Sequence, residues 1–147
     1  RHIEWPFVIM LAAMIPIGQA LESTGITALI ATEVVSLAGD LHIFWVLMII
    51  LIITMLITDV INNAATAVIM APFSVNIALQ LGQPLEPFLM VVAVGASCAF
   101  LTPIGHQCNT LVMGPGNYKF SDYWRLGLPL DILIVLASIP MILFVWL

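Results

Sequence analysis

Two short polar runs interrupt apolar sequence in this chain. The first is Thr58-Asp59-Val60-Ile61-Asn62-Asn63, and the second is Thr102-Pro103-Ile104-Gly105-His106-Gln107-Cys108-Asn109-Thr110. Residues 43–57 carry a single polar side chain, Thr54, and residues 64–78 are nearly as apolar, so the first run lies deep inside hydrophobic sequence. In the bilayer core an unpaired amide or backbone group is costly, so polar sequence survives there only when buried in protein or lining a wet cavity. Asn side chains and freed carbonyls offer oxygen ligands to Na⁺. Helix N-termini offer N–H groups and a partial positive charge, which hold an anion without Lys or Arg. The chemistry suggested is a site near the membrane midplane where two interrupted segments meet. Thr58, Asn62, Asn63, Gly105, Gln107 and Asn109 would face its shared cavity.

Other uses of these residues compete with that reading. Asn and Thr also cap broken helices and hydrogen-bond between them, but two interruptions of matching character favour a site. His106 is open between a satisfied packing residue and a proton carrier or ligand. Asp59 is open between a cap on the following helix and a coupling carboxylate. Gly95-Ala96-Ser97-Cys98-Ala99 is similar to a nucleophile elbow, yet Ala99 stands where the second Gly belongs and His106 is the only nearby base. An intramembrane serine protease would rest on that pair alone, so no enzyme activity is expected. As a run of small residues, 95–99 suits close helix packing.

Composition narrows the class. The chain is 63% hydrophobic and 7% charged, against about 25% charged residues in a typical soluble domain. An integral membrane protein is expected. The net charge is −5, and Arg1, Lys119 and Arg125 are the only Lys or Arg residues, so phosphate neutralisation and nucleic-acid binding have no basis. Cys98 and Cys108 read as free thiols packed as small hydrophobes. No His/Cys spacing resembles a metal site, and no organic cofactor is expected. No signal peptide is expected, and the sequence reads as part of a longer polypeptide.

The elements that must position the polar runs follow from the breaks. Residues 5–17 and 26–38 are apolar segments, with Glu22 and Glu33 as interfacial or bundle-facing acids. Residues 44–80 form either a re-entrant helical hairpin with its tip at Asn62-Asn63 or one discontinuous helix, because each arm is shorter than the ~20 residues a membrane-crossing helix needs. Pro84 and Pro87 mark a turn at 82–87 that forbids helix continuation. Residues 88–113 form a broken helix, opened by Pro103 and Gly105. Residues 118–125 alternate aromatic with charged or polar side chains, as a short interfacial helix does. Two of the three cations lie there, which places it on the cytoplasmic side. Residues 128–147 make a final transmembrane helix, with Asp131 near its start and Trp146 near its end. The fold class is all-α and integral to the membrane, a multi-pass protein in contact with the lipid bilayer of the cell (inner) membrane.

At the two polar runs the sequence resembles the divalent anion/Na⁺ symporters, or SLC13 permeases, of the ion transporter superfamily. That family carries Ser-Asn-Thr at the tip of each of two re-entrant hairpins. Asn62-Asn63-Ala64 is similar to the second tip, with the central Asn kept as Asn63, Asn62 in place of Ser and Ala64 in place of Thr. The resemblance continues through 101–110 and through Gly114-Pro115-Gly116-Asn117-Tyr118-Lys119-Phe120-Ser121-Asp122-Tyr123. That last stretch is most similar to the branch with regulatory TrkA-C domains, which includes sulfate carriers.

The resemblance implies an elevator-type homodimer in which each protomer has two inverted repeats. Residues 1–147 would be the second repeat, the C-terminal half of the transporter, lacking its N-terminal partner repeat. It implies symport of a small inorganic or carboxylate anion, sulfate or a dicarboxylate, with Na⁺ or H⁺ as coupling ion. Carried over by position, Na⁺ would be held by Thr58, Asn63 and the carbonyls of Ile61, Gly105 and Gln107. The anion would lie at Asn62, Asn63, Ala64, His106 and Asn109. The alternative within the superfamily is an arsenite or Na⁺/H⁺ carrier.

Overall fold

The computed structural model describes residues 42–147 and isolated positions before them. The apolar segments expected at 5–17 and 26–38, with Glu22 and Glu33, lie outside the described residues. Those described form five helices and no strand: α1 (Ile43–Thr58), α2 (Asn63–Leu81), α3 (Leu85–Ala96), α4 (Gln107–Met113) and α5 (Phe120–Trp146).

Local chemistry sets the helix ends. His42 caps α1, its Nδ1 accepting from the Phe44 N–H at 3.3 Å. Asn62 caps α2 from extended backbone, its Oδ1 accepting from the Ala65 N–H at 2.8 Å. Gly82 closes α2 at φ 62°. The Gln83 N–H donates to the Ala78 carbonyl at 2.9 Å and the Gly82 N–H to Leu79 at 3.2 Å, so two of the last four carbonyls are satisfied.

The prolines do less than the sequence suggests. Pro84 is the N-cap of α3, but Pro87 lies within its first turn, where N–H groups have no intrahelical acceptor to lose. The helix therefore begins at Leu85, and the break in the second segment spans 97–106. The interfacial stretch at 118–125 and the final helix at 128–147 form one continuous helix, with Pro129 and Pro140 inside it. Apolar helices tolerate such prolines when neighbouring groups re-satisfy the freed carbonyls.

The short helix α3 is the centre of the bundle, packed against α1, α2 and α5, while α1 also touches α2 and α5. Phe88, Leu47, Ile50, Leu51, Ile77 and Val91 are fully buried around it. Between apolar helices the association must come from close contact, because lipid is as apolar as Leu. Gly95 supplies that contact: a Cβ there would sit 2.9 Å from Thr54 Cβ and 3.2 Å from Leu51 Cδ1. Gly127 does the same for α5, where a Cβ would press on the carbonyl of Phe100 and lie 3.0 Å from the Leu101 nitrogen. Helices α2 and α5 are long and apolar enough to cross a membrane.

Candidate functional site at the two helix breaks

The turn between α1 and α2, residues 59–62, meets the break between α3 and α4. Asp59 joins them. Its Oδ1 accepts from the Leu101 N–H at 3.0 Å, and its carbonyl accepts from Thr102 Oγ1 at 2.7 Å. Thr102 Oγ1 in turn accepts from the Gly105 N–H at 3.0 Å. Gly105 is buried against the turn: a Cβ there would lie 3.1 Å from Asp59 Cα, 3.2 Å from the Thr58 carbonyl oxygen and 2.9 Å from Ala99 Cβ. Only glycine lets the two backbones come so close.

Thr58 is fully buried at the end of α1. Its hydroxyl lies 3.0 Å from both Asn63 Oδ1 and the Ala96 carbonyl oxygen, linking α1 to the start of α2 and the end of α3. Thr58, Asn63 and Gly105 are thus gathered at one place, with hydroxyl, amide and backbone oxygens close together. Ile61 is exposed on the same turn, and its N–H closes back on the Ile57 carbonyl at 2.8 Å. Gln107 opens α4.

The expected anion contacts divide into two groups. Asn62 is exposed, and its Oδ1 is committed to capping, which leaves its amide nitrogen unengaged. Asn63 and Ala64 open α2, where backbone N–H groups have no helical acceptor, and neither donates within the protein. His106 and Asn109 belong to the second break and make no hydrogen bond to the α1–α2 turn. His106 is an exposed N-cap of α4, its Nδ1 accepting from the Cys108 N–H at 3.2 Å. Asn109 Nδ2 donates to the carbonyls of Ala99 at 2.8 Å and Thr102 at 3.1 Å, bracing the loop. Its carbonyl accepts from Tyr123 Oη at 2.7 Å, which holds α5 to α4. A cavity of about 200 Å³ lies beside it, lined by Phe100, Tyr118, Tyr123 and Leu130 among others.

The capping alternative for Asp59 does not hold. It ends α1 in a helical conformation (φ −68°, ψ −21°), while capping of α2 falls to Asn62 (φ −68°, ψ 157°). Its carboxylate serves the loop across the junction, and its Oδ2 is buried without a hydrogen-bond partner. Asp59 and Thr102 are the residues whose joining role the sequence did not disclose, because their partners lie some forty positions away. Ser97 Oγ donates to the Ala93 carbonyl at 2.8 Å, as a helical serine does. Both cysteines are free, Cys98 buried and Cys108 exposed.

Comparison with known proteins shows the family. An uncharacterized transporter of Synechocystis is 37% identical over 144 residues, covering 98% of this chain and 24% of that protein. An uncharacterized transporter of Escherichia coli is 39% identical over 142 residues, covering 97% of this chain and 23% of that protein. Sodium/sulfate cotransporter 2 of Chlamydomonas reinhardtii is 28% identical over 139 residues, covering 94% of this chain and 16% of that protein. The chain spans about a quarter of the length of the first two relatives. A family model described as citrate transporter matches residues 1–147, end to end. The chain therefore belongs to the citrate transporter family, a family of membrane transport proteins.

Proposed function

We propose that this chain is the second inverted repeat of a secondary active transporter that moves a small divalent anion, sulfate or a dicarboxylate, together with Na⁺. The observation that carries the reading is the junction of the two helix breaks through Asp59, Thr102 and Gly105. In this reading α1 and α2 are the arms of a re-entrant hairpin, and α3 and α4 are the halves of a discontinuous helix. The other half of the site comes from a first repeat, and the whole protein works as a homodimer in the cell membrane.

The division of labour follows from helix polarity. The end of α1 presents carbonyl oxygens and partial negative charge, and Thr58 Oγ1, Asn63 Oδ1 and the carbonyl of Thr58 are all oxygen donors suited to Na⁺. The start of α2 presents the N–H groups of Asn63 and Ala64 and the Asn62 amide, which suit an anion. Relatives named sodium/sulfate cotransporters support both the ion and the anion class.

The test is uptake of radiolabelled sulfate and succinate by the whole transporter in proteoliposomes, with and without an inward Na⁺ gradient. Uptake of either anion that requires Na⁺ is expected. Cation exchange without anion uptake would refute the symport reading in favour of an ion exchanger.

A further inference from the structure

A second polar feature adjoins the helix breaks, with Leu101 of the second break in its wall. A cavity of about 330 Å³ opens between α1 and α5, lined by Ile52, Met55, Leu56, Leu101 and Val135 among others, with Asp131 as the one acid or base among the described lining residues. Asp131 is 8% exposed, and both of its carboxylate oxygens are buried without a hydrogen-bond partner. A carboxylate kept for structure is normally hydrogen-bonded. A bare carboxylate among aliphatic side chains is costly to hold. A metal cation would need several further oxygen ligands, and the side chains of the described lining residues other than Asp131 supply none. One proton meets the need by itself: it removes the charge and converts the group to a neutral acid.

We propose that this cavity is a proton site in which Asp131 binds and releases one H⁺. The step is Asp131–COOH giving Asp131–COO⁻ and H⁺, with the proton passing to water at the mouth of the cavity. Among the described residues, the titratable groups of neighbouring elements that act on Asp131 through charge are Asp59, at the end of α1, and Cys98, after α3; both are buried, neither lines the cavity and neither brings positive charge. The carboxylate oxygens of Asp131 are not among the oxygens proposed for Na⁺, so proton and Na⁺ need not compete for them. Its place in transport rests on the transporter reading, but its existence does not.

The experiment uses the whole transporter in phosphatidylcholine vesicles, treated with dicyclohexylcarbodiimide, which modifies protonated carboxyls within membranes. Peptide mass spectrometry then locates the adduct. Asp131 is expected to be modified, with the modified fraction falling about tenfold per pH unit above its midpoint, as one proton requires. The infrared C=O band of a protonated carboxylic acid is expected to weaken in the isosteric Asp131→Asn variant. Two results would overturn the proposal. One is an unmodified Asp131 at every pH with an unchanged infrared band in the variant. The other is modification that Na⁺ suppresses at constant pH, which would make the cavity a cation site. Failure of anion uptake would leave these readouts intact, so the two readings fail separately.

Discussion

Gly105→Ala is the sharpest perturbation of the junction between the helix breaks. The added methyl would lie 2.9 Å from Ala99 Cβ, 3.1 Å from Asp59 Cα and 3.2 Å from the Thr58 carbonyl oxygen. Two of these neighbours belong to backbone and the third is a Cβ, so no flexible side-chain end can swing aside. The turn at 59–62 and the loop at 97–106 must separate by several tenths of an ångström. That movement strains the Leu101–Asp59 and Thr102–Asp59 hydrogen bonds, now 3.0 and 2.7 Å. Overpacking of this kind costs about 1–3 kcal/mol. If the whole of it falls on the Na⁺-bound geometry, about 2 kcal/mol corresponds to a roughly 30-fold weaker Na⁺ dependence. The assay is the Na⁺ concentration for half-maximal uptake by the whole transporter, with abundance and thermal stability measured alongside. Gly114→Ala is the control, since nothing lies within 4 Å of a Cβ there. A Gly105→Ala protein with wild-type Na⁺ dependence would show that the close approach of the two breaks does not matter to the ion.

Other substitutions separate the roles of neighbouring groups. Asn63→Ala is expected to weaken both cation and anion binding, because one side-chain amide serves both; wild-type Na⁺ affinity in equilibrium binding would refute the assignment. Thr58→Val removes the hydroxyl that joins Asn63 to the Ala96 carbonyl, with a loss of about 1–3 kcal/mol in stability, while Thr58→Ser should melt close to wild type. Asn62→Ala should lose about 1 kcal/mol of capping. Asn62→Asp should keep the cap and the melting temperature but repel the anion, so equal anion affinity in Asp and Asn forms would remove Asn62 from the anion site. Gly127→Ala drives a methyl into the Phe100 carbonyl and should lower thermal stability by about 1–3 kcal/mol through displacement of α5.

Much of this architecture was legible because polar residues inside apolar sequence are conspicuous. Asn62 and Asn63 marked the turn between α1 and α2, and Pro103 and Gly105 fell within the break before α4. What the sequence hid has physical reasons. Residues 118–125 and 128–147 read as two elements because polarity changes between them, yet one helix runs from Phe120 to Trp146. Pro87 read as a helix breaker, although in a first turn proline forfeits nothing. Asp59 read as a local cap or a coupling group. Its actual partners, Leu101 and Thr102, are reached only once the chain has folded back on itself, and no local pattern encodes that. The candidate site was therefore legible in its composition at the α1–α2 turn. His106 and Asn109 were visible as polar residues, but their hydrogen bonds lie within their own break.

The turn from Asp59 to Asn62 also bears on cooperativity. It separates the carbonyl end of α1 from the N–H end of α2 by only four residues. Hydrogen bonds from Leu101 and Thr102 hold the first residue of the turn, which limits the ordering that a ligand has to supply. On the proposed reading, a cation held at one end and an anion at the other face each other across this short span and attract. Linkage then demands reciprocity: whatever factor Na⁺ contributes to anion affinity, the anion must return to Na⁺. Measured in either direction, that factor should be the same number, and it should shrink together for both ligands when the turn is lengthened by a single inserted residue.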